Sequence, residues 1–253
     1  SATNAGGGIF CMGSGNLTFD NVTISGNSAS TQGGGILIRE NSTIQITTSQ
    51  ISNNTSNELG GGIFISDGSS VSIDNSSINN NTATNTEHSR GGGIYVAGST
   101  VNLTNSIISN NSSQFYGGGL CFEGPSGNHL VSHSLISSNY ARVRGGGVYG
   151  VNQDFIFSNS TIDGNTTSGI GSGMCLDVVN IEMDNSIIWG NQQIYYFSGP
   201  ISTTISYSDI QNGEEAIITN DNGTVSWGEG NIYADPLFTD PDNGDYTLQS
   251  TSP

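Results

Sequence analysis

Arg90 and Arg144 each stand directly before a run of three glycines, and Tyr116 stands before the run between them. The chain has four arginines, no lysine and 21 acidic residues, so these cations are scarce and sit at matching places. If the glycine runs mark successive layers, Arg90, Tyr116 and Arg144 form one column spanning about 10 Å. Two guanidinium forks around an aromatic ring suit a carboxylate or sulfate on an extended polymer. Pairing with nearby acids along a surface rim is the structural alternative. Arg142 lies two residues before Arg144. The linker from Asn81 to Gly91 has nine residues where its counterparts have five, and it carries Glu87, His88 and Arg90. A local insertion on the edge of a regular structure is a common seat of function.

A second column reads Phe10, Leu37, Phe64, Tyr95, Cys121, Tyr149 and Cys175, one residue past the apolar position that follows each glycine run. Strand alternation turns this column outward, which predicts an exposed aromatic stripe. Such stripes stack on sugar rings, dock proteins or simply stabilise stacked strands. The expected ligand contacts are therefore Arg90, Tyr116, Arg144, Tyr95, Tyr149 and Phe64.

Other chemistry is weaker. Glu123, His129 and His133 surround a long loop, Gly124-Pro125-Ser126-Gly127, and His129 with Tyr116 or Glu123 could form an acid–base pair. His133 occupies a column that is mostly Asn, which favours a structural role. Asp240, Asp242 and Asp245 around Gly244 have a calcium-like spacing, although Pro241 makes the segment equally a turn. No zinc spacing exists, and no cofactor is expected. Cys121 and Cys175 share a column two layers apart, roughly 10 Å, beyond disulfide reach.

The elements that position these residues are repeats. Glycine runs begin at residues 6, 33, 60, 91, 117 and 145, with a Gly-Ser-Gly variant at 171. Each is followed by Ile9, Ile36, Ile63, Ile94, Leu120, Val148 or Met174. Later in each unit comes Ile-x-x-Asn, as in Ile51/Asn54, Ile78/Asn81 and Ile108/Asn111, with another apolar residue five positions before the isoleucine. Within units the period is two, as in Ile44-Gln45-Ile46 and Val71-Ser72-Ile73. A unit of about 27 residues with three short strands buries its apolar face only by stacking on its neighbours. The expected fold is all-β: a right-handed parallel β-helix of eight or nine coils. Residues 1–191 form the regular coils, and 192–253 form degraded last coils and a closing segment of the same domain. The Asn column should hydrogen-bond from coil to coil. The serine column Ser49, Ser76, Ser106, Ser134, Ser160, Ser186 should fill a tight corner rather than supply a nucleophile.

The Gly-Gly-x-Ile and Ile-x-x-Asn signatures resemble the repeats of chlamydial polymorphic outer-membrane proteins and, more broadly, bacterial secreted right-handed β-helix repeat proteins. The resemblance covers roughly residues 5–191. Gly stands where those repeats usually have Ala, and Ile where they usually have Phe before Asn, so the likeness is to the broad group. Ala234-Asp235-Pro236-Leu237-Phe238 and Gly244-Asp245-Tyr246-Thr247-Leu248 resemble the closing segments of such surface proteins. The resemblance implies export and an extracellular or cell-surface role, often adhesion, with a polysaccharide or a host or neighbouring surface protein as partner. The same scaffold also carries polysaccharide lyases and glycoside hydrolases.

Composition removes other classes. A net charge of −17 leaves no basic footprint for nucleic acid and disfavours anionic membrane surfaces. No apolar run is long enough for a membrane-spanning helix. The chain is expected to be a fragment of a longer protein. The resulting expectation is a non-catalytic, adhesin-like surface protein, with a lyase or hydrolase acting in the outer groove as the alternative.

Overall fold

The computed structural model describes residues 6–13, 15–125, 127–191 and 193–253. Ser126, in the loop singled out above, lies outside them. The chain winds into a parallel β-solenoid. A typical coil contributes Ile63–Ser66, Ser70–Asp74 and Ser77–Asn79 to three long sheets. These sheets hold nine, nine and eight strands, stacked in chain order. A fourth sheet was not anticipated: six coils add a two-residue strand, such as Thr82–Ala83, just after the Ile-x-x-Asn asparagine. Among the described residues no α-helix forms, and no helix is long and apolar enough to cross a membrane.

Register follows the repeat. Ile36, Ile63, Ile94, Leu120, Val148 and Met174 stack as direct partners. Ile46, Ile73 and Leu103 do the same on the second sheet, and Ile51, Ile78 and Ile108 on the third. All are buried. Burial of each such side chain is worth about 1.5–3 kcal/mol. A one-residue slip would turn every one of them outward, so the pattern holds the register.

The glycine triplets have three separate jobs. Gly60 has φ +60°, the left-handed turn into the coil. A Cβ on Gly61 would lie 2.4 Å from the Gly92 carbonyl oxygen and 2.6 Å from Thr82 backbone. A Cβ on Gly62 would lie 2.6 Å from the Gly93 oxygen and 3.0 Å from the Asn81 amide. The corner between the second and third sheets uses a left-handed residue at Asn21, Thr48, Asn75, Asn105, His133, Asn159, Asn185 and Tyr207. Asn tolerates that conformation best among non-glycine residues, which explains the column His133 occupies.

Two side-chain ladders run down the inside corners. In the first, the Asn81 backbone N–H and side-chain amide both donate to Asn111 Oδ1 at 3.0 Å, and Asn81 Nδ2 also donates to the Ile51 carbonyl at 2.9 Å. The pattern repeats from Asn27 to Asn191. In the second, each N–H of the serine column donates to the next hydroxyl, as Ser76 N does to Ser106 Oγ at 3.0 Å. Ser208 closes this ladder on Asn231 Oδ1. The serines are therefore acceptors for buried backbone donors, more than corner fillers.

Past residue 191 the coils lose their signature but continue. Ile194–Ser198, Ile201–Ser206 and Asp209–Ile210 extend the three long sheets. Ile217–Ile218 and Gly223–Trp227 add most of another coil. The last segment then folds back as an antiparallel hairpin, Phe238–Asp240 with Asp245–Leu248.

Candidate functional site

The expected column exists. Isolated parallel bridges link Gln32, Leu59, Arg90, Tyr116, Arg144 and Ile170 in succession along one edge of the first sheet. The two arginines within it differ sharply. Arg90 Nε bonds Glu123 at 2.9 Å, the one ion pair among the described residues. The Tyr95 hydroxyl donates to the other Glu123 oxygen at 2.9 Å. Arg90 thus meets the structural alternative: its charge is already answered.

Arg144 has no acid partner among the described residues. Its guanidinium carbon lies 5.2 Å from the Tyr116 ring centre and 3.5 Å from that of Phe197. The Tyr116 ring stacks in turn on Tyr149, with centres 4.6 Å apart. Two ring faces hold a partly exposed cation without neutralising it. Phe197 was not legible as a contact. Leu176 pairs with Tyr196 and Asp177 with Ser198, so Phe197 is the extra residue of a β-bulge. The bulge turns its ring out, 40% exposed, under Arg144. Arg142 plays a different part, donating from Nε to the Gln114 carbonyl at 2.9 Å and from Nη2 to the Thr86 carbonyl. It holds the inserted loop to the coil edge.

The aromatic stripe is not exposed, and that expectation is corrected. Leu37, Phe64, Tyr95, Cys121, Tyr149 and Cys175 form a second buried cluster, closed over by Leu59, Tyr116, Ile170 and Tyr195. Only Phe10, on the first coil, is exposed. The column points away from the main core, but the linker before each glycine triplet folds across it. Phe64 and Tyr95 stack at 5.5 Å inside this cluster. Burial pushes the Tyr95 and Tyr149 hydroxyls well above the usual phenol range, and the Cys175 thiol up to about 12. Burial also holds the Cys121 thiol well above its ordinary value, and all three cysteines are free. Of the six expected contact residues, Tyr116 and Arg144 line the open edge, Arg90 is paired, and Phe64, Tyr95 and Tyr149 lie beneath.

His129 is also relocated. It packs inside the solenoid against Phe122 and Phe155, and its hydrogen bonds among the described residues go to Val101 and Gln153 rather than to Tyr116 or Glu123. Val101 N–H donates to Nδ1 at 3.2 Å, so Nε2 carries the proton and meets Gln153 Oε1 at 2.9 Å. Gln153 Oε1 also accepts Gly127 N–H at 3.0 Å, the place a serine holds in earlier coils. Burial holds the imidazole below its ordinary value. A depressed histidine stabilises the fold above pH 6.5 and loses that stability as pH falls. As pH falls from 7 to 5, His129→Phe should therefore hold its melting temperature better than the unaltered chain, whatever its effect at pH 7.

On the second sheet a cavity of about 230 Å³ is lined by Asn128, Asp154, Phe155, Ile156, Asn180 and Glu182. Asp154 accepts the Asn180 amide at 2.7 Å. Asp154 and Glu182 sit on adjacent coils, roughly 8 Å apart at Cα by strand geometry. Asp240, Asp242 and Asp245 form the tight end of the terminal hairpin, with Asn243 Nδ2 donating to Asp240 at 2.8 Å and Thr247 N to Asp245 at 3.0 Å.

A family model described as a right handed beta helix region matches residues 1–86. No curated protein matches the chain. The match gives the hand of the coil that the stacked sheets by themselves leave open. The chain folds as a right-handed parallel β-helix repeat protein.

Proposed function

We propose that this solenoid is a non-catalytic extracellular or cell-surface recognition protein, adhesin-like, that grips carboxylate- or sulfate-bearing polysaccharide along the Tyr116–Arg144–Phe197 edge. The observation that carries this reading is Arg144: a partly exposed guanidinium held between two aromatic rings, with no acid partner among the described residues, in a chain of charge −17. Ring-held guanidinium is pre-organised, so little side-chain entropy is lost when an anion binds. Tyr116 and Phe197 flank the cation with apolar ring surface of the kind that packs on sugar faces. The overall negative charge opposes an anionic polymer at long range. Screening over about 8 Å at physiological salt leaves the local cation to decide. A lysine-free, Gly/Ser/Thr/Asn-rich repeat chain supports the surface location.

The test is long incubation of the full chain with neutral and acidic polysaccharides, with and without calcium, followed by sizing of protein and polymer. Intact acidic polymer should co-elute with the protein. Arg144→Gln should weaken that association by roughly ten- to a hundredfold, a charge-assisted contact being worth about 1.5–3 kcal/mol, and Phe197→Ala should weaken it less. Absence of association with every polymer sinks the glycan reading. Shortened polymer would establish the hydrolase or lyase alternative instead, and Asp154 and Glu182 would be the first residues to replace.

A further inference from the structure

The chain from Tyr233 onward leaves the last coil and runs back along the outer face of the third sheet. Its hairpin turn, Pro241–Gly244, lines a groove with Ser77, Ser109 and Ser137. Its other end, Pro236, Leu248 and Ser252, lines a cavity with Ser186 and Asp209. This strap therefore spans several coils. Phe238 is its buried anchor, with Tyr246 packed edge-on at 5.1 Å.

Beneath the strap lie two buried carboxyls, Asp163 and Asp209. Tyr246 Oη donates to Asp163 Oδ2 at 3.1 Å. Asp209 lies against the Ala234 backbone N–H, but its Oδ1 is buried with no hydrogen-bond partner. The strap itself carries Asp235, Asp240, Asp242 and Asp245 and no basic residue. Asp184 and Glu229 belong to the coils it crosses, Glu229 held by the Tyr207 hydroxyl and Asp184 by Ser206. No arginine or histidine pairs with any of these acids among the described residues. The joint is acid against acid, with one carboxyl oxygen lacking a donor.

We propose that the terminal strap is a pH-sensitive latch, docked most tightly when the Asp163 and Asp209 carboxyls are protonated and loosened when they ionise. A neutral carboxyl is tolerated in that buried contact, whereas a carboxylate there needs donors or cations the joint does not supply. Burial pushes Asp209 up to about 6, with Asp235 adding to the rise and the Ala234 N–H opposing it. Burial also raises Asp163 against the Tyr246 hydrogen bond. The sign follows: a carboxyl raised in the docked state favours docking fully below its ordinary value near 4, and that advantage is lost as pH rises to about 6. Asp163 shifts in the same direction. Undocking would uncover the third sheet's outer face, including Asp163 and Ser137, without unwinding a coil.

Hydrogen exchange of residues 238–248 in the full chain, corrected for intrinsic rates, reads the latch against the regular coils. Protection of this segment at pH 4.5 should exceed that at pH 7.5 by on the order of tenfold or more. Asp209→Asn should remove most of that difference by raising protection at pH 7.5. Asp163→Asn should remove a smaller part. Strap protection that is flat with pH in the unaltered chain overturns the proposal and needs no variant to read. So does a full pH response surviving in both substitutions.

Discussion

Gly61→Ala is expected to abolish folding of the coils around it, at a cost above about 4 kcal/mol. The added methyl would lie 2.4 Å from the Gly92 carbonyl oxygen and 2.6 Å from Thr82 backbone. Neither neighbour is a side chain that can turn away. Relief requires separating two coils, and that breaks ladder bonds on every sheet. The chain contains its own control. The middle position of the seventh triplet is Ser172, and there the next coil presents Gln193 rather than another glycine run. Ser172 Oγ accepts the Gln193 N–H at 3.1 Å. Ser172→Gly should therefore cost only about 1 kcal/mol, one hydrogen bond. Urea unfolding followed by circular dichroism separates the two cases. A Gly61→Ala protein with a wild-type midpoint would refute the inter-coil contact as the reason for the triplet.

Asn111→Ala, representative of the inner members of its column, should be among the most damaging truncations of a polar side chain, at roughly 3 kcal/mol. Asn111 Oδ1 accepts both the Asn81 backbone N–H and its amide at 3.0 Å, and Asn111 Nδ2 donates to the Ile78 carbonyl at 2.9 Å. Both asparagines are buried. Removing the amide leaves a backbone donor and a carbonyl without partners, where no water reaches them. The third glycine sits against the same amide, 3.0 Å from a Cβ placed on Gly93, so the gap left has no side chain able to fill it. Asn27→Ala, at the first coil, removes fewer bonds and should cost less than half as much. Unfolding midpoints of the two variants, read with the same probe, test the ranking. Equal losses would mean the ladder is not the source of the effect.

The repeat spacing by itself determined the architecture. Strands one coil apart must pair in parallel if Ile36, Ile63 and Ile94 are to share a core, and a period of two admits one inward face. The column of Arg90, Tyr116 and Arg144 was equally legible, since stacking turns a fixed spacing into a vertical line. The Asn ladder followed from the same reasoning. Coverage was decided by tertiary structure. Nothing in the local pattern tells Tyr95 and Tyr149 that the neighbouring linkers fold over them, because burial depends on atoms supplied by other coils. Glu123 and Phe197 likewise reach their arginines from distant positions, Phe197 through a bulge that interrupts the repeat. His129 looked like chemistry because its type is reactive, but its inward register and the Gln153 amide make it core. The strap lay furthest from view: Tyr246 meets Asp163 across 83 residues of sequence. Periodicity specifies what each coil does to the next, whereas the charges and rings that face outward find their partners only once the whole solenoid has been wound.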